Sequence, residues 1–326
     1  MRIQSKQNYF RSKMDYTKFY KSSFNPEEEF DCPEYDLFIS AYDECDRTRV
    51  PYDKVNAKKK LWMLFPQYSY KGNRPSEEYY YSDGVRESDY FRGFYEMFGV
   101  DELRKMSICI DSTGFLRPHL VFLLAYFNHI DLKKLDVLYT EPGRYSKADE
   151  TSFSINIDKV RTVDGCSNTP VTTEEMNEVL IVCSGYDEQL FSAVASNKSN
   201  CKYKYHIIGF PSLQLDMYQE SMLRFYNIKE SVGNSERMFA PAFDPFVTAQ
   251  TIDEIIKDIP SATNIYLSPL STKPQTLGMI LYYLYNKKSK SVSILFPFSM
   301  EYTSGHTEGV KRTWRYTVEL PSGDYS

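Results

Sequence analysis

The chain has 326 residues, of which 42% are hydrophobic and 25% charged, and its formal net charge is −5. This length allows two units of ordinary domain size, and the acidic balance argues against direct binding of duplex DNA, which normally needs a basic face. The most apolar windows, residues 120–127 and 277–284, are far shorter than the ~20 residues of a membrane span, so we expect a cytoplasmic protein with no membrane partner.

Residues 1–34 carry little apolar periodicity and end in the acidic run 27–29. Their basic, aromatic start lacks the apolar core of a secretory signal, which also favours the cytoplasm. We expect an extension that packs loosely on the residues that follow it, or that binds a partner.

Residues 35–150 are predicted to form a first Rossmann-like half, because strand and helix patterns alternate and parallel neighbours need crossovers. Gly99 is a plausible end for the second helix. The predicted strands are 35–42, 61–65, 106–110 and 135–139, and the predicted helices are 46–54, 77–99 and 118–129.

Residues 151–177 are polar and are predicted to be an interdomain segment with a short edge strand at 160–163. Residues 178–326 then repeat the first plan, and the alternation in 310–320 predicts an antiparallel edge strand at the end of this second half. The predicted strands are 179–183, 205–210, 264–267 and 292–296, and the predicted helices are 188–196, 216–225, 247–258 and 275–285.

Four sequence blocks occur twice, in the same order and with nearly constant offsets. These are 40–44 with 184–188, 61–66 with 206–211, 107–127 with 264–285, and 137–145 with 293–302. The recurrence predicts an α/β fold made of two tandem-duplicated Rossmann-like halves, with mostly parallel sheets packed pseudo-symmetrically. A ligand is then expected in the cleft between corresponding loops.

Several common sites are not expected. The six cysteines include no C-x-x-C pair and the four histidines lack metal-ligand spacing, so neither zinc nor any other metal is predicted. Neither a Walker A loop nor a G-x-G-x-x-G motif is present, and no cofactor is predicted. His119 lies in an apolar helix and is interpreted as a core residue.

The sharpest local feature is the loop 268–274, which joins a predicted strand to a predicted helix. Ser268, Ser271 and Thr272 can cap the helix and, with its free amides, form an anion pocket to which Lys273 adds a charge suited to phosphate. The alternative is an ordinary helix cap that binds nothing. The corresponding loop of the first half supplies Ser112, Thr113 and Arg117.

Three carboxylates follow predicted strands, at the edge where open α/β sheets bind ligands. Asp43 and Asp187 each occur in a Tyr-Asp-Glu triplet, the second of which includes Tyr186, and Asp111 stands where the second half has Ser268. Asp43 and Asp187 could each act as a general base, hold a ribose or bind a metal; helix capping is the alternative for both. The difference between Asp111 and Ser268 suggests a catalytic carboxylate in one half and an anion clamp in the other.

The loops after the last strand of each half, 141–145 and 299–302, each contain a glutamate and end in a tyrosine. In the second half, Glu301, Tyr302 and the following Arg312 are candidate ligand contacts, and Tyr302 or Trp314 could stack on a base. A solvated charged turn is the alternative interpretation.

The segment 267–277 resembles the nucleotide-sensing loops of CARF and SAVED domains, in which a Thr-Lys pair at a helix start faces cyclic oligonucleotides. Residues 35–320 also resemble an uncharacterised family of bacterial defence-associated proteins, including toxins encoded beside retron reverse transcriptases. The motifs that carry this likeness are a strand ending in Ser-x-Tyr, an Asp-x-Thr-x-x-x-Arg loop and a Pro-Leu-x-Thr-Lys-Pro loop. The resemblance implies an antiviral role and no particular catalytic residue.

Two functions remain open at this stage. One is an antiphage effector that hydrolyses or modifies a nucleotide or nucleoside, with Asp43, Asp111 or Asp187 as base and Ser271, Thr272 and Lys273 holding phosphate. The other is a non-catalytic nucleotide sensor, or a module that docks a reverse transcriptase–nucleic acid complex. The lack of a recognisable catalytic constellation favours the second, and the lack of an attached effector domain favours the first.

Overall fold

A computed structural model of the chain shows two mixed sheets with helices packed against them. The description covers residues 14–68, 70, 74–145, 154–185, 187–214, 219, 222–223, 235–302 and 307–323, without the side chains of 145, 154–156 and 300–302. Within these residues, no helix is long and apolar enough to cross a membrane.

The first sheet has seven strands. They are β1 (Lys21–Phe24), β2 (Tyr35–Ala41), β3 (Ala57–Leu64), β4 (Tyr79–Tyr81), β5 (Ile108–Asp111), β6 (Lys134–Tyr145) and β13 (Thr307–Glu319). Their order across the sheet is β1-β13-β6-β5-β2-β3-β4. The five strands from β4 to β6 are parallel, whereas β13 runs antiparallel to both β6 and β1.

The second sheet has six strands. They are β7 (Ser154–Thr162), β8 (Val179–Cys183), β9 (Tyr203–Gly209), β10 (Glu236–Ala240), β11 (Asn264–Pro269) and β12 (Ser291–Tyr302). Their order is β10-β9-β8-β11-β12-β7, with the first five parallel and β7 antiparallel to β12. Both sheets therefore contain five parallel strands followed by an antiparallel one.

Helices connect the parallel strands. They are α1 (Asp46–Lys54), α2 (Glu87–Phe98), α3 (Val100–Leu103), α4 (Arg117–His129), α5 (Glu188–Asn197), α6 (Pro245–Lys257) and α7 (Lys273–Asn286). Helix α7 is apolar around almost its whole circumference because it is covered by α6 on one side and by α4 on another. The contact between α4 and α7 joins the two sheet systems into one hydrophobic core.

The outer antiparallel strands are exchanged between the sheets. Strand β7 follows β6 in the chain but pairs with β12, and β13 follows β12 but pairs with β6. Each sheet is therefore completed by a strand that the chain reaches from the other sheet. Separating the sheets would break both of these ladders.

Many predicted elements are confirmed. Helix 46–54 and strand 179–183 have the predicted bounds, and the edge strand predicted at 160–163 overlaps the end of β7, which is antiparallel to β12. Helix α2 ends at Gly99, whose φ of 73° lies in the left-handed region where glycine carries no steric cost.

Other predictions about the elements were wrong. The helix predicted over 77–99 is β4 followed by α2, because the tyrosine run 79–81 has high β propensity and pairs with β3. The predicted loops 141–145 and 299–302 lie within the long strands β6 and β12. The predicted helix 216–225 lies almost wholly outside the described residues.

The two ends of the chain also differ from expectation. The tail forms β13, which is not an edge strand of the second half but an interior strand of the first sheet. It is covered on its outer side by β1, so residues 21–24 are part of the sheet rather than of a loosely packed extension. Lys21 of β1 also pairs with Asp244, the residue that caps α6.

A buried ion cluster ties α2 to the second sheet. Glu87, at the start of α2, is fully buried and accepts two hydrogen bonds from the Arg161 guanidinium of β7, each 2.9 Å long. Asp164 lies beside Arg161 and also pairs with Arg86 at 2.5 Å. Every charge in the cluster has an opposite partner, which is what buried charges require.

Replacing Arg161 by Met should destabilise the protein by about 3 kcal/mol or more, because Glu87 would remain buried without its counter-charge. The measurement is urea-induced unfolding followed by tryptophan fluorescence. Arg92→Met is the matched control, since Arg92 pairs with Asp89 on the surface and such pairs contribute about 0–1 kcal/mol. Equal effects of the two substitutions would show that the buried cluster does not hold the sheets together.

Candidate functional site

The candidate site lies where α4 and α7 begin, beyond the carboxyl ends of β5 and β11. Arg117 is the first residue of α4, and its Nε donates a 2.7 Å hydrogen bond to the carbonyl oxygen of Ser271, just before α7. We call the region around this contact the seam; it comprises Arg117, Ser271, Lys273 and the neighbouring Asp111. It brings together the two loops in which the sequence predicted an anion site.

Lys273 is the distinctive group of the seam. It is the first residue of α7, and its ammonium has no hydrogen-bond or ion-pair partner among the described residues. The protein packed around it holds the pKa of Lys273 well below its usual 10.5, and the positive charges of Arg117 and Arg47 act in the same direction. The carboxylate of Asp111 opposes this shift in pKa but does not cancel it.

Asp111 is fully buried and well satisfied. One carboxylate oxygen accepts from the Thr113 amide at 3.1 Å and the Thr113 hydroxyl at 2.6 Å, and the other accepts from the Ser40 hydroxyl at 2.9 Å. Burial raises the pKa of Asp111 to about 6, against the effect of these hydrogen bonds and of Arg47. Its oxygens are thus engaged within the protein rather than presented to a ligand.

Arg47 is the residue of this site that the sequence did not reveal. It lies in the first turn of α1, and its Nε and Nη2 donate to the Thr140 carbonyl at 2.9 and 2.7 Å, while Nη1 is 3.4 Å from the Thr307 hydroxyl. In the sequence it is one charged residue in a polar helix. Its only signal is that it follows the Asp43-Glu44 pair by one helical turn, at the ligand-binding edge of the sheet.

The start of α7 is capped by its own residues. Thr272 is the N-cap: its hydroxyl accepts from the Gln275 amide at 3.3 Å and donates to the Ala242 carbonyl at 2.5 Å. Pro274 is the second residue of the helix and has no N–H. An anion here would therefore bind mainly to the Lys273 side chain, rather than to the Thr272 hydroxyl or to a set of free amides.

The predicted serine and threonine contacts divide into two groups. The Ser112 hydroxyl donates to the Leu138 carbonyl at 2.7 Å, and the Thr113 hydroxyl is shared between Asp111 and the Thr140 amide. These two hydroxyls position the loop. By contrast, the buried Ser268 hydroxyl has no hydrogen-bond partner among the described residues, and Ser271 offers its carbonyl to Arg117.

The predicted correspondence of Asp111 with Ser268 does not follow the strand register. In the first sheet, Ser40 is the register partner of Asp111. The repeat matches Ser40 to Ser184, so Ser268 would be expected to pair with Ser184, but it pairs with Val182.

The loop after β8 passes close to the seam at Gly185, where a Cβ atom would lie 2.3 Å from the Leu270 carbonyl oxygen. Glycine is required there because any side chain would displace the loop that carries Ser271.

The two other candidate bases have different environments. Asp187 caps α5, since its carboxylate accepts from the Gln189 and Leu190 amides at 3.1 and 3.2 Å, as the capping alternative predicts. Asp43 is half-buried after β2, and one of its oxygens accepts a hydrogen bond of 3.2 Å from the Cys45 amide, while the other has no partner among the described residues. Tyr186 lies outside the described residues.

The remaining candidates lie on long strands. The backbone of Glu301 and Tyr302 belongs to β12, and their side chains are outside the described part of the structure. Arg312 lies on β13, 3.9 Å from the buried carboxylate of Glu141. Trp314 stacks on Phe243 with ring centroids 5.0 Å apart and donates to Glu141 at 2.6 Å, so one face of its indole is already covered.

Comparison of the chain with family models and with curated proteins finds no match. The site is therefore interpreted from its own geometry.

Asp111 predicts a specific pH dependence of stability. Because its pKa rises from 3.8 to about 6 on folding, the folded state favours the protonated form. This stabilisation is present below about pH 4 and is lost as the pH rises through 6. Asp111→Asn stays neutral at every pH and does not lose this stabilisation. As the pH rises from 4 to 7, its free energy of unfolding should therefore increase by up to about 3 kcal/mol relative to that of the parent protein.

The measurement is urea-induced unfolding of both proteins at several pH values, with the exposed Asp101→Asn as a control for loss of a surface charge. A stability difference between Asp111→Asn and the parent that stays constant from pH 4 to pH 7 would contradict the burial and charge environment assigned to Asp111.

Proposed function

We propose that the chain binds a nucleotide or nucleoside through a phosphate group held in the seam. The observation that carries this proposal is the Lys273 ammonium, which is half-buried, has the positive charges of Arg117 and Arg47 acting on it, and has no ion-pair partner among the described residues. A bound anion would offset the cost of gathering these cations, since an opposite charge favours the ionised form of a lysine. Phosphate fits because lysine and arginine side chains are its usual protein contacts.

The location also supports a ligand site. In open α/β sheets, ligands bind beyond the carboxyl ends of the parallel strands. The seam lies at these ends in both sheets, because α4 follows β5 and α7 follows β11. A ligand there would contact both halves and could couple their positions.

We infer that the halves arose by tandem duplication, since the recurring blocks are matched by the same order of the five parallel strands in each sheet, followed by an antiparallel strand. On this account the seam is a pseudo-symmetric cleft. The resemblance of its loops to those of defence-associated proteins supports an antiviral role in the cytoplasm, with a reverse transcriptase–nucleic acid complex as a candidate partner.

The first test is to incubate the purified protein with a nucleotide pool, identify the retained component by mass spectrometry, and titrate it calorimetrically. Lys273→Gln and Arg117→Gln should each weaken binding about tenfold or more, as expected when a hydrogen bond to a charged group is lost. Lys290→Gln should leave the affinity unchanged, because this exposed lysine lies beyond the far end of α7. Equal affinity of all four proteins would refute the phosphate site.

Nucleotide hydrolysis is a second candidate, favoured by Asp43. It is half-buried near the carboxyl end of β2, and its second oxygen has no hydrogen-bond partner among the described residues, as a general base requires. If the chain hydrolyses its ligand, Asp43→Asn should lower kcat at least a hundredfold with little change in affinity, whereas Asp187→Asn should act mainly through stability. Turnover that persists in Asp43→Asn would exclude this role, and binding without turnover by the parent protein would favour a sensor.

A further inference from the structure

A separate cavity of about 310 Å³ lies between the end of β3, the start of α2 and the ladder of β7 with β12. Its size is at the lower end of the range for small-molecule sites, roughly 300–1,000 Å³. None of its described lining residues belongs to the seam. Its described walls come from the loop that follows β3, from the residues that precede α2, and from β7 and β12 of the second sheet.

One wall is flat and rigid. The Arg161 guanidinium lies over the Phe298 ring, 3.6 Å from its centroid. The bidentate contact with the fully buried Glu87 fixes the guanidinium in this position. This wall is therefore organised before any ligand arrives, which reduces the entropy cost of binding a planar group.

The interior contains an unsatisfied acceptor. Gln67 lines the cavity, and its side-chain oxygen is buried and has no hydrogen-bond partner among the described residues. Buried carbonyl oxygens are normally paired, and an N–H group of a bound ligand would satisfy this one.

The mouth is cationic. Lys159 is exposed and has no hydrogen-bond or ion-pair partner among the described residues, and Arg86, although paired with Asp164, keeps 61% of its side-chain surface exposed. Asp158 is the acidic residue of the described lining. A ligand with a negative group at its outer end would complement this charge distribution.

We propose that this cavity binds a mononucleotide, with a base N–H donating to Gln67, the base plane beside the Arg161–Phe298 wall, and the phosphate near Lys159 and Arg86. A heterocyclic base supplies both the flat face and the donor, and a phosphate supplies the charge. The site is independent of the seam, so the chain has two nucleotide sites that differ in their residues.

The probes are the nucleoside 5′-monophosphates of adenine, guanine, cytosine and uracil, each titrated calorimetrically into the full chain. At least one should bind, and Gln67→Leu should weaken it about tenfold and Lys159→Gln about fivefold. Val85→Trp, which fills the mouth from a largely exposed position, should also block it without affecting folding. Lys105→Gln, a matched control at an exposed lysine outside the cavity, should have no effect.

Lys273→Gln distinguishes this site from the seam. It should leave binding in the cavity unchanged, whereas loss of mononucleotide binding in Lys273→Gln alone would assign the ligand to the seam and overturn the cavity proposal. No binding of any monophosphate at millimolar concentration, or equal binding by the parent and the three cavity variants, would also overturn it. Circular dichroism and thermal melting of each variant confirm that the fold is intact.

Discussion

The exchange of β7 and β13 between the sheets is the constraint on which the rest of the structure depends. Each of these strands follows a long strand of one sheet and pairs with the long strand of the other. The two sheets are therefore held together by backbone ladders as well as by side-chain packing. This fixes α4 against α7, and with them the position of Arg117 at the carbonyl of Ser271. The seam is thus a consequence of topology, and it is present before any ligand binds.

The electrostatics of the seam follow from this fixed geometry. Burial and the nearby arginines disfavour the charged form of Lys273, and the Asp111 carboxylate, which opposes them, is itself buried with a raised pKa. The cluster around Glu87 differs from the seam, because each of its charges is paired with an opposite charge. Lys273, by contrast, is half-buried without an ion-pair partner among the described residues, and this contrast supports the proposal that the seam receives an anion.

Sequence patterns predicted the local elements and the loops of the site, but not the pairings between distant strands. The alternation in the tail correctly indicated a strand, yet nothing in 310–320 specifies β6 as its neighbour, because strand pairing depends on contacts far along the chain. The aromatic spacing in 77–99 imitated an amphipathic helix although the first tyrosines belong to β4. Lys273 and Arg117 could be predicted from loop chemistry, whereas Arg47 could not, since its role depends on where α1 meets the Thr140 carbonyl.

The most direct test of this account is the ionisation of Lys273 itself, measured by NMR of the lysine side-chain nitrogens and assigned with Lys273→Gln. In the free protein, the account predicts a pKa well below 10.5, because of burial and the neighbouring arginines. Addition of the bound nucleotide should raise that pKa, since a phosphate favours the charged ammonium. A Lys273 that titrates near 10.5, with no change when nucleotide is added, would contradict the proposal that the seam is an anion site.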